Sequence, residues 1–184
     1  MKKLGLIVNP VAGMGGAVGL KGTDGQEILE RARALGAVPR AHERAEQALT
    51  PLTSMADDIE LLTFGDTMGE AIATARGLRP RVIGSGSAPH TTAEDTASAA
   101  RLMQAAGVDL LLFVGGDGTA RDICAVVGTG ITVLGVPAGV KIHSAVFAAS
   151  PIAAGQVAAS VLTGEISRVV EAEVMDINEE DYRQ

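Results

Sequence analysis

The most informative stretch of this 184-residue chain is Leu110-Leu-Leu-Phe-Val-Gly-Gly-Asp-Gly-Thr119. Its uninterrupted apolar run predicts a strand that is buried on both faces of a parallel sheet. Gly115 and Gly116 remove side chains where another group must approach the backbone, and Gly118 frees the start of the next helix. Asp117 is the only charged residue in the turn. A carboxylate at such a strand end is costly to bury unless it binds a metal or takes up a proton, so Asp117 is the leading candidate for chemistry.

Apolar segments and helical patterns alternate along the rest of the chain. The predicted strands are 3–8, 59–64, 81–84, 109–114, 131–136 and 166–175, the last of them leaving the body of the domain. The predicted helices are 28–35, 39–56, 68–76, 91–106, 119–127 and 151–162. Alternation of this kind predicts an α/β fold, a three-layer α/β/α domain with a mostly parallel sheet. Ligands of such sheets bind at the carboxyl ends of the strands, where the unusual loops 9–22, 115–119 and 137–144 fall.

The composition excludes several classes of protein. Six of the 22 acidic residues lie within residues 171–184 together with one base, which leaves 16 acids and 14 bases elsewhere. This charge pattern offers no basic surface for nucleic acid. A single cysteine, Cys124, excludes an internal disulfide and predicts a reducing, cytoplasmic compartment. Every apolar run is shorter than a membrane-spanning helix, so we expect no membrane segment. The scarcity of aromatic residues, at 2%, predicts a core built from aliphatic side chains and alanine.

The loop Asn9-Pro-Val-Ala-Gly-Met-Gly-Gly16 is a candidate phosphate-binding loop. Glycines at Gly13, Gly15 and Gly16 would let successive backbone N–H groups point at an anion. Lys21 would add a positive charge. The alternative is a plain connection between a strand and a helix, because the Gly-Lys-Ser/Thr of a P-loop is missing.

Two further segments carry polar side chains next to predicted strand ends. Thr91 and Glu94 have the spacing of a capping box, as do Thr23 and Gln26. Thr92 and Asp95 would then remain free to meet a ribose or an adenine edge. Lys141 follows a glycine turn at a strand end, where a cation suits a phosphate.

These motifs together resemble the NAD kinase superfamily, which also contains the diacylglycerol and sphingosine kinases. The turn Gly115–Thr119 and the Asn-Pro-x-x-Gly loop are shared across that superfamily. The longer strings Asn9–Gly22, His90–Thr96 and Gly135–Ala148 are similar to the ATP-NAD kinase-like branch, some of whose members are associated with acetoin catabolism. The resemblance covers essentially the whole chain and points to the N-terminal domain of that family.

The resemblance implies a phosphotransferase that uses ATP and Mg²⁺ and takes NAD as its substrate. Asp117 would be the general base for the ribose 2′-hydroxyl, or would act through bound Mg²⁺. Asn9 and the loop through Gly16 would hold phosphate from one side, with Thr92 and Asp95 near the nucleotide. The residues that would cradle the polyphosphate from the other side are Gly115, Gly116, Gly118 and Thr119.

The resemblance also implies a second, β-rich domain, with the active site between the two. We therefore expect a nucleotide-binding kinase domain over residues 1–175 and an acidic linker over 176–184 toward that C-terminal domain. The full protein would bind small-molecule nucleotides and could form a homo-oligomer. Asn178-Glu179 matches the Asn-Glu pair that contacts the acceptor in NAD kinases only as a dipeptide, so that role is not transferred.

Three other functions compete with NAD phosphorylation. A kinase of the same fold could act on a lipid or another small hydroxyl compound, although no apolar acceptor groove is evident in the sequence. A nucleotide-binding module without catalysis is the second alternative, since half a cleft rarely excludes water. A dehydrogenase is disfavoured, because the first glycine loop lacks the required spacing and no ribose-binding acid follows a second strand.

Overall fold

A computed structural model describes residues 1–19, 26–87, 90–139 and 142–175 of the protein. Its strands are β1 (Lys2–Val8), β2 (Ile59–Thr63), β3 (Arg81–Val82), β4 (Leu110–Gly115) and β5 (Val133–Pro137). Its α-helices are α1 (Met14–Ala17), α2 (Gln26–Ala34), α3 (Ala41–Leu49), α4 (Glu70–Ala75), α5 (Ala93–Ala105), α6 (Asp117–Val127) and α7 (Pro151–Thr163). Two 3₁₀ helices cover Thr50–Met55 and Asp66–Met68. No described helix is long and apolar enough to cross a membrane.

The five described strands form one parallel sheet in the order β3-β2-β1-β4-β5. β4 lies between β1 and β5, with Leu112 opposite Leu6 on one side and opposite Leu134 on the other. All six residues of β4 are buried. The apolar run that begins at Leu110 is therefore an interior strand, as its sequence predicts, since both of its faces are covered.

Helices cover both faces of the sheet and complete the three-layer α/β/α fold. On one face, the even-numbered residues Leu4, Leu6, Leu110 and Leu112 pack against α3 and α7. On the other face, the odd-numbered residues such as Phe113 pack against α5 and α6. This separation follows from the two-residue repeat of a strand. Alanine is the most frequent residue at the buried helix positions, which confirms the alanine-rich core; examples are Ala41, Ala45, Ala48, Ala99, Ala100, Ala120, Ala154 and Ala158.

The strand order changes direction between β1 and β4. The chain adds β2 and β3 on one side of β1 and then returns to place β4 and β5 on the other side. The helices attached to β1 and β4 therefore diverge, which opens a crevice at the carboxyl ends of these two strands. Asn9 follows β1 at this point and Asp117 follows β4.

The predicted strand over residues 166–175 is wrong. Among the described residues no strand lies beside this segment. An alternating sequence pattern does not by itself form a strand, because a strand also needs a neighbouring strand as its hydrogen-bond partner. Its backbone instead meets the 144–145 segment, where Ala145 N–H donates to Glu173 O at 3.3 Å. Val169 and Val170 are 60% and 66% exposed.

Two other predictions need adjustment. The predicted helix over 39–56 divides into α3 and the 3₁₀ helix Thr50–Met55, because Pro51 lacks the N–H that an α-helix would need there. The predicted capping box of Thr23 and Gln26 depends on Thr23, which lies outside the described residues.

Candidate functional site at the carboxyl edge of the sheet

Asp117 is the first residue of α6 and lies directly after Gly116, at the carboxyl end of β4. Its Oδ2 accepts a hydrogen bond from His143 N–H at 2.9 Å, and its Oδ1 accepts one from Ser144 N–H at 3.0 Å. The side chain is half-buried. A carboxylate oxygen has two lone pairs, so each oxygen of Asp117 can still meet one ligand atom. The carboxylate is therefore held in a fixed orientation and remains available.

The segment that holds Asp117 is itself tied to the last part of the described chain. The Ser144 side chain is 5% exposed, and its Oγ accepts a hydrogen bond from Met175 N–H at 3.0 Å. Residues 173–175 thus fix the segment whose backbone orients Asp117. The sequence marks His143 and Ser144 only as polar side chains near a strand end, and their backbone role depends on tertiary packing.

Asn9 and Thr119 join the two loops on either side of the crevice. Asn9 Nδ2 donates to Thr119 Oγ1 at 3.0 Å, and Asn9 Oδ1 accepts from Val11 N–H at 3.2 Å. Thr119 is 4% exposed. The predicted phosphate contacts of Asn9 and Thr119 stay predictions, while the structure shows that both side chains link the end of β1 to the start of α6.

The glycines at this edge differ in what surrounds them. A Cβ on Gly115 would lie 2.4 Å from Thr119 Cβ, and a Cβ on Gly13 would lie 2.2 Å from Ala138 O. Both positions exclude a side chain because protein atoms already fill the space. A Cβ on Gly116, in contrast, would meet nothing within 4 Å. Gly116 therefore has open space beside its backbone, where a ligand could approach.

Other predicted phosphate-binding residues belong to helices or to segments outside the described ranges. Gly15 and Gly16 lie within the short helix α1, and Gly118 lies in the first turn of α6. Lys21 and Lys141 lie outside the described residues. Their roles stay predictions.

Thr92 and Asp95, rather than Thr91 and Glu94, form the capping box of α5. The Asp95 carboxylate accepts from Thr92 N–H at 2.7 Å, from Thr92 Oγ1 at 2.9 Å, and from Ser87 N–H and Oγ at 3.0 and 2.9 Å. The predicted capping box is wrong by one residue, because Asp95 can bind both its own helix terminus and the preceding loop.

The hydrogen bonds at Asp95 also control its ionisation. Burial alone raises the pKa of the Asp95 carboxyl, but the bonds from Thr92 and Ser87 together hold this pKa below its ordinary value. The carboxylate is 9% exposed. A direct contact between Asp95 and a nucleotide stays a prediction. The nucleotide would have to bind a carboxylate that already accepts hydrogen bonds from Thr92 and Ser87.

The described residues contain no group of three His, Cys, Asp or Glu side chains that could hold a metal ion by themselves. Mg²⁺ in phosphotransferases often takes only one or two carboxylates and completes its shell with substrate phosphates and water. The carboxylate of Asp117, whose oxygens each accept one hydrogen bond from the described residues, fits such a substrate-bridged ion.

Comparison with known proteins identifies the family. The model of the ATP-NAD kinase N-terminal domain matches residues 4–166, which include β1 from Leu4 onward, the other four described strands and the Asp117 turn. The chain therefore belongs to the ATP-NAD kinase N-terminal domain family and has a domain of kinase type. No curated protein and no solved structure matched the chain.

Proposed function

We propose that this domain transfers a phosphoryl group from ATP to the ribose 2′-hydroxyl of NAD, giving NADP. Family membership supports a phosphotransferase. The observation that carries the proposal is the position of Asp117, a fixed and accessible carboxylate at the carboxyl end of an interior strand. Phosphoryl transfer needs mainly positioning and charge neutralisation, and such a turn can supply both.

Asp117 acts as the general base in this proposal. One Asp117 carboxylate oxygen would accept the proton of the ribose 2′-hydroxyl while the hydroxyl oxygen attacks the terminal phosphorus of ATP. The bond between that phosphorus and the oxygen that bridges it to the next phosphate breaks, and ADP leaves. The backbone N–H groups of His143 and Ser144 keep the carboxylate oriented while it accepts the proton. In the alternative to the base role, Asp117 would hold Mg²⁺, and the ion would neutralise charge on the phosphates.

The surrounding residues position the substrates. Gly116 and the N-terminal turn of α6 present open backbone to the phosphates, while Lys21 and Lys141 add positive charge. The bond between Asn9 and Thr119 keeps the two loops at a fixed separation. The remaining cradle residues Gly13, Gly15, Gly16, Gly115 and Gly118 shape the same loops. Thr92 and Asp95 support the nucleotide side by ordering the loop before α5.

The proposal extends to the organisation of the whole protein. Residues 1–175 would form the nucleotide-binding kinase domain, and residues 176–184 would be an acidic linker toward a β-rich domain that completes the acceptor site. The protein would act in the cytoplasm on small-molecule nucleotides, and oligomers would form through the second domain.

The proposal is tested by replacing Asp117 with Asn in the full-length protein. We expect turnover of NAD to fall by about 10²–10⁴-fold, because the base is lost while the shape of the side chain is kept. The far-UV circular dichroism spectrum should be unchanged. Asp58→Asn is the matched control, since Asp58 is an exposed carboxylate before β2, at the opposite edge of the sheet. Wild-type turnover by Asp117→Asn would refute the assignment of the base.

The acceptor is tested separately by comparing NAD with NADP. NADP already carries a phosphate on the 2′-oxygen, so the proposal expects product from NAD and none from NADP. Phosphorylation of a lipid alcohol in place of NAD would show that the same fold serves a different acceptor. Binding of ATP and NAD without any product would instead favour a nucleotide-binding module without catalysis.

A further inference from the structure

A cavity lies at the carboxyl edge of the sheet, on the side that carries α3, whereas Asp117 begins α6 on the other side. It has a volume of about 220 Å³ and lies between the loop after β1, the loop after β5 and the start of α3. Its floor is formed where Gly13 approaches Ala138 and Gly139. Gly13 has a φ of +80° and no room for a Cβ, so the two loops can approach this closely only with glycine at that position.

Two arginines line this cavity, Arg40 and Arg44. Arg40 is the N-cap residue of α3, and Arg44 lies one turn further along the same helix face. Within the described ranges neither side chain forms an ion pair. The Arg44 guanidinium makes one long hydrogen bond, from Nη1 to Gln47 Oε1 at 3.4 Å.

The chemistry of the cavity favours a phosphoryl anion. None of the described residues that line it is acidic, although the chain as a whole carries a net charge of −7. Arginine binds phosphate oxygens through two parallel N–H donors. The N-terminus of α3 has no side-chain cap, so its backbone N–H groups add positive potential. The volume is below the roughly 300–1,000 Å³ of cavities that enclose a whole small-molecule ligand, so it suits part of a phosphate chain better than a complete nucleotide.

We infer that Arg40 and Arg44 bind the phosphate chain of the phosphoryl donor, the part that is not transferred. This inference rests on the proposed function, which sets the direction in which the phosphate chain of the donor runs. A donor whose terminal phosphoryl group faces Asp117 would run its other phosphates along the carboxyl edge, across the Gly13–Ala138 contact, toward the arginines. The shared chemistry is a linear polyphosphate, which either ATP or inorganic polyphosphate provides.

The test is calorimetric titration of the protein with sodium tripolyphosphate. We expect Arg40→Gln and Arg44→Gln each to weaken binding by about tenfold, the effect of losing one charge-assisted contact at a partly exposed site. Arg79→Gln is the matched control, because Arg79 is an exposed arginine that precedes β3 at the opposite edge. It should change the affinity less than twofold. Equal affinities for wild type, Arg40→Gln and Arg44→Gln would overturn the inference.

Parallel titrations with ATP and with NAD identify the source of the phosphates. Weaker ATP binding with unchanged NAD binding supports the donor assignment, and loss of NAD binding alone overturns it. The protein could bind tripolyphosphate through the two arginines and yet never phosphorylate NAD. That result would refute the proposed function and support this binding site. If the protein phosphorylates NAD but its affinity for tripolyphosphate is the same in wild type and in both arginine variants, only this inference is refuted.

Discussion

Asp95 and Asp117 both lie in the first turn of a helix that follows a strand, but the protein holds them differently. Asp95 accepts four hydrogen bonds from its own loop and helix terminus and is 9% exposed. Asp117 accepts two from the described residues, both from a distant segment, and is half-buried. Because Asp95 is committed to local structure, Asp117 is the carboxylate of this pair that can serve a reaction.

Replacing Asp95 with Asn should lower the free energy of unfolding by about 1–2 kcal/mol at pH 7, because the neutral amide loses charge-assisted hydrogen bonds from Thr92 and Ser87. The pKa of Asp95 is lower in the folded state, so its ionised form stabilises the fold. This contribution is fully present above the ordinary carboxyl value of 3.8 and is lost as the pH falls through the lower folded-state pKa. Urea unfolding of wild type and variant at a series of pH values measures it.

Glu94→Gln is the control for that experiment. Glu94 lies in the same helical turn, and its contact among the described residues is an exposed ion pair with Arg101 at 2.9 Å. The change should therefore alter the free energy of unfolding by about 0.5 kcal/mol or less. A larger loss with Glu94→Gln than with Asp95→Asn would contradict the capping box seen in the structure.

The turn between β4 and α6 combines two neighbouring glycines with different requirements. Gly115 faces the buried Thr119 side chain, whereas Gly116 faces open space with an extended backbone at φ −121°. The first glycine is therefore needed for packing and the second for access to the backbone. Its two glycines make this element testable as a matched pair of alanine variants.

Gly115→Ala should destabilise the protein by about 1–3 kcal/mol, because the new methyl group displaces Thr119 and with it the bond to Asn9. Gly116→Ala should leave the free energy of unfolding within about 0.5 kcal/mol of wild type, since the methyl group meets no protein atom. The same methyl group should nevertheless raise the KM for ATP if phosphate approaches this backbone. Thermal unfolding and steady-state kinetics separate the two effects, and a Gly116→Ala enzyme with wild-type KM would argue against phosphate binding there.

The molecule as a whole depends on close packing between its layers, because its core contains little aromatic volume. α7 packs against α3 on one face of the sheet, and Gly155 lies at their contact. A Cβ on Gly155 would lie 2.0 Å from Ala48 O and 2.9 Å from Pro51 Cδ. The backbone of α3 cannot rotate away from such a contact, so the two helices would have to separate.

Gly155→Ala should therefore lower the free energy of unfolding by about 1–3 kcal/mol in spite of the better helix propensity of alanine. Gln156→Ala is the control, because Gln156 is an exposed position in the same helix. Chemical denaturation of both variants measures the difference. A Gly155→Ala protein as stable as Gln156→Ala would show that the contact between α3 and α7 relaxes more easily than the structure indicates.

Local patterns in the sequence were sufficient to predict the parallel α/β fold and the position of Asp117. The apolar run from Leu110 identifies an interior strand, and the glycine turn after it places the carboxylate at the strand end. These features depend on backbone periodicity and on residues a few positions apart, so a single stretch of chain contains the information. The strand predicted over 166–175 failed because a strand also needs a partner, which no local pattern supplies.

The arrangement of the candidate site depends on contacts between residues far apart in the chain. Asn9 meets Thr119 across 110 positions, and Asp117 meets His143 and Ser144 across 26 and 27 positions. Sequence patterns therefore establish the strands, the helices and the turn that carries Asp117. The orientation of that carboxylate and the arginine-lined cavity arise only when the sheet assembles, because packing brings together the loops that form them.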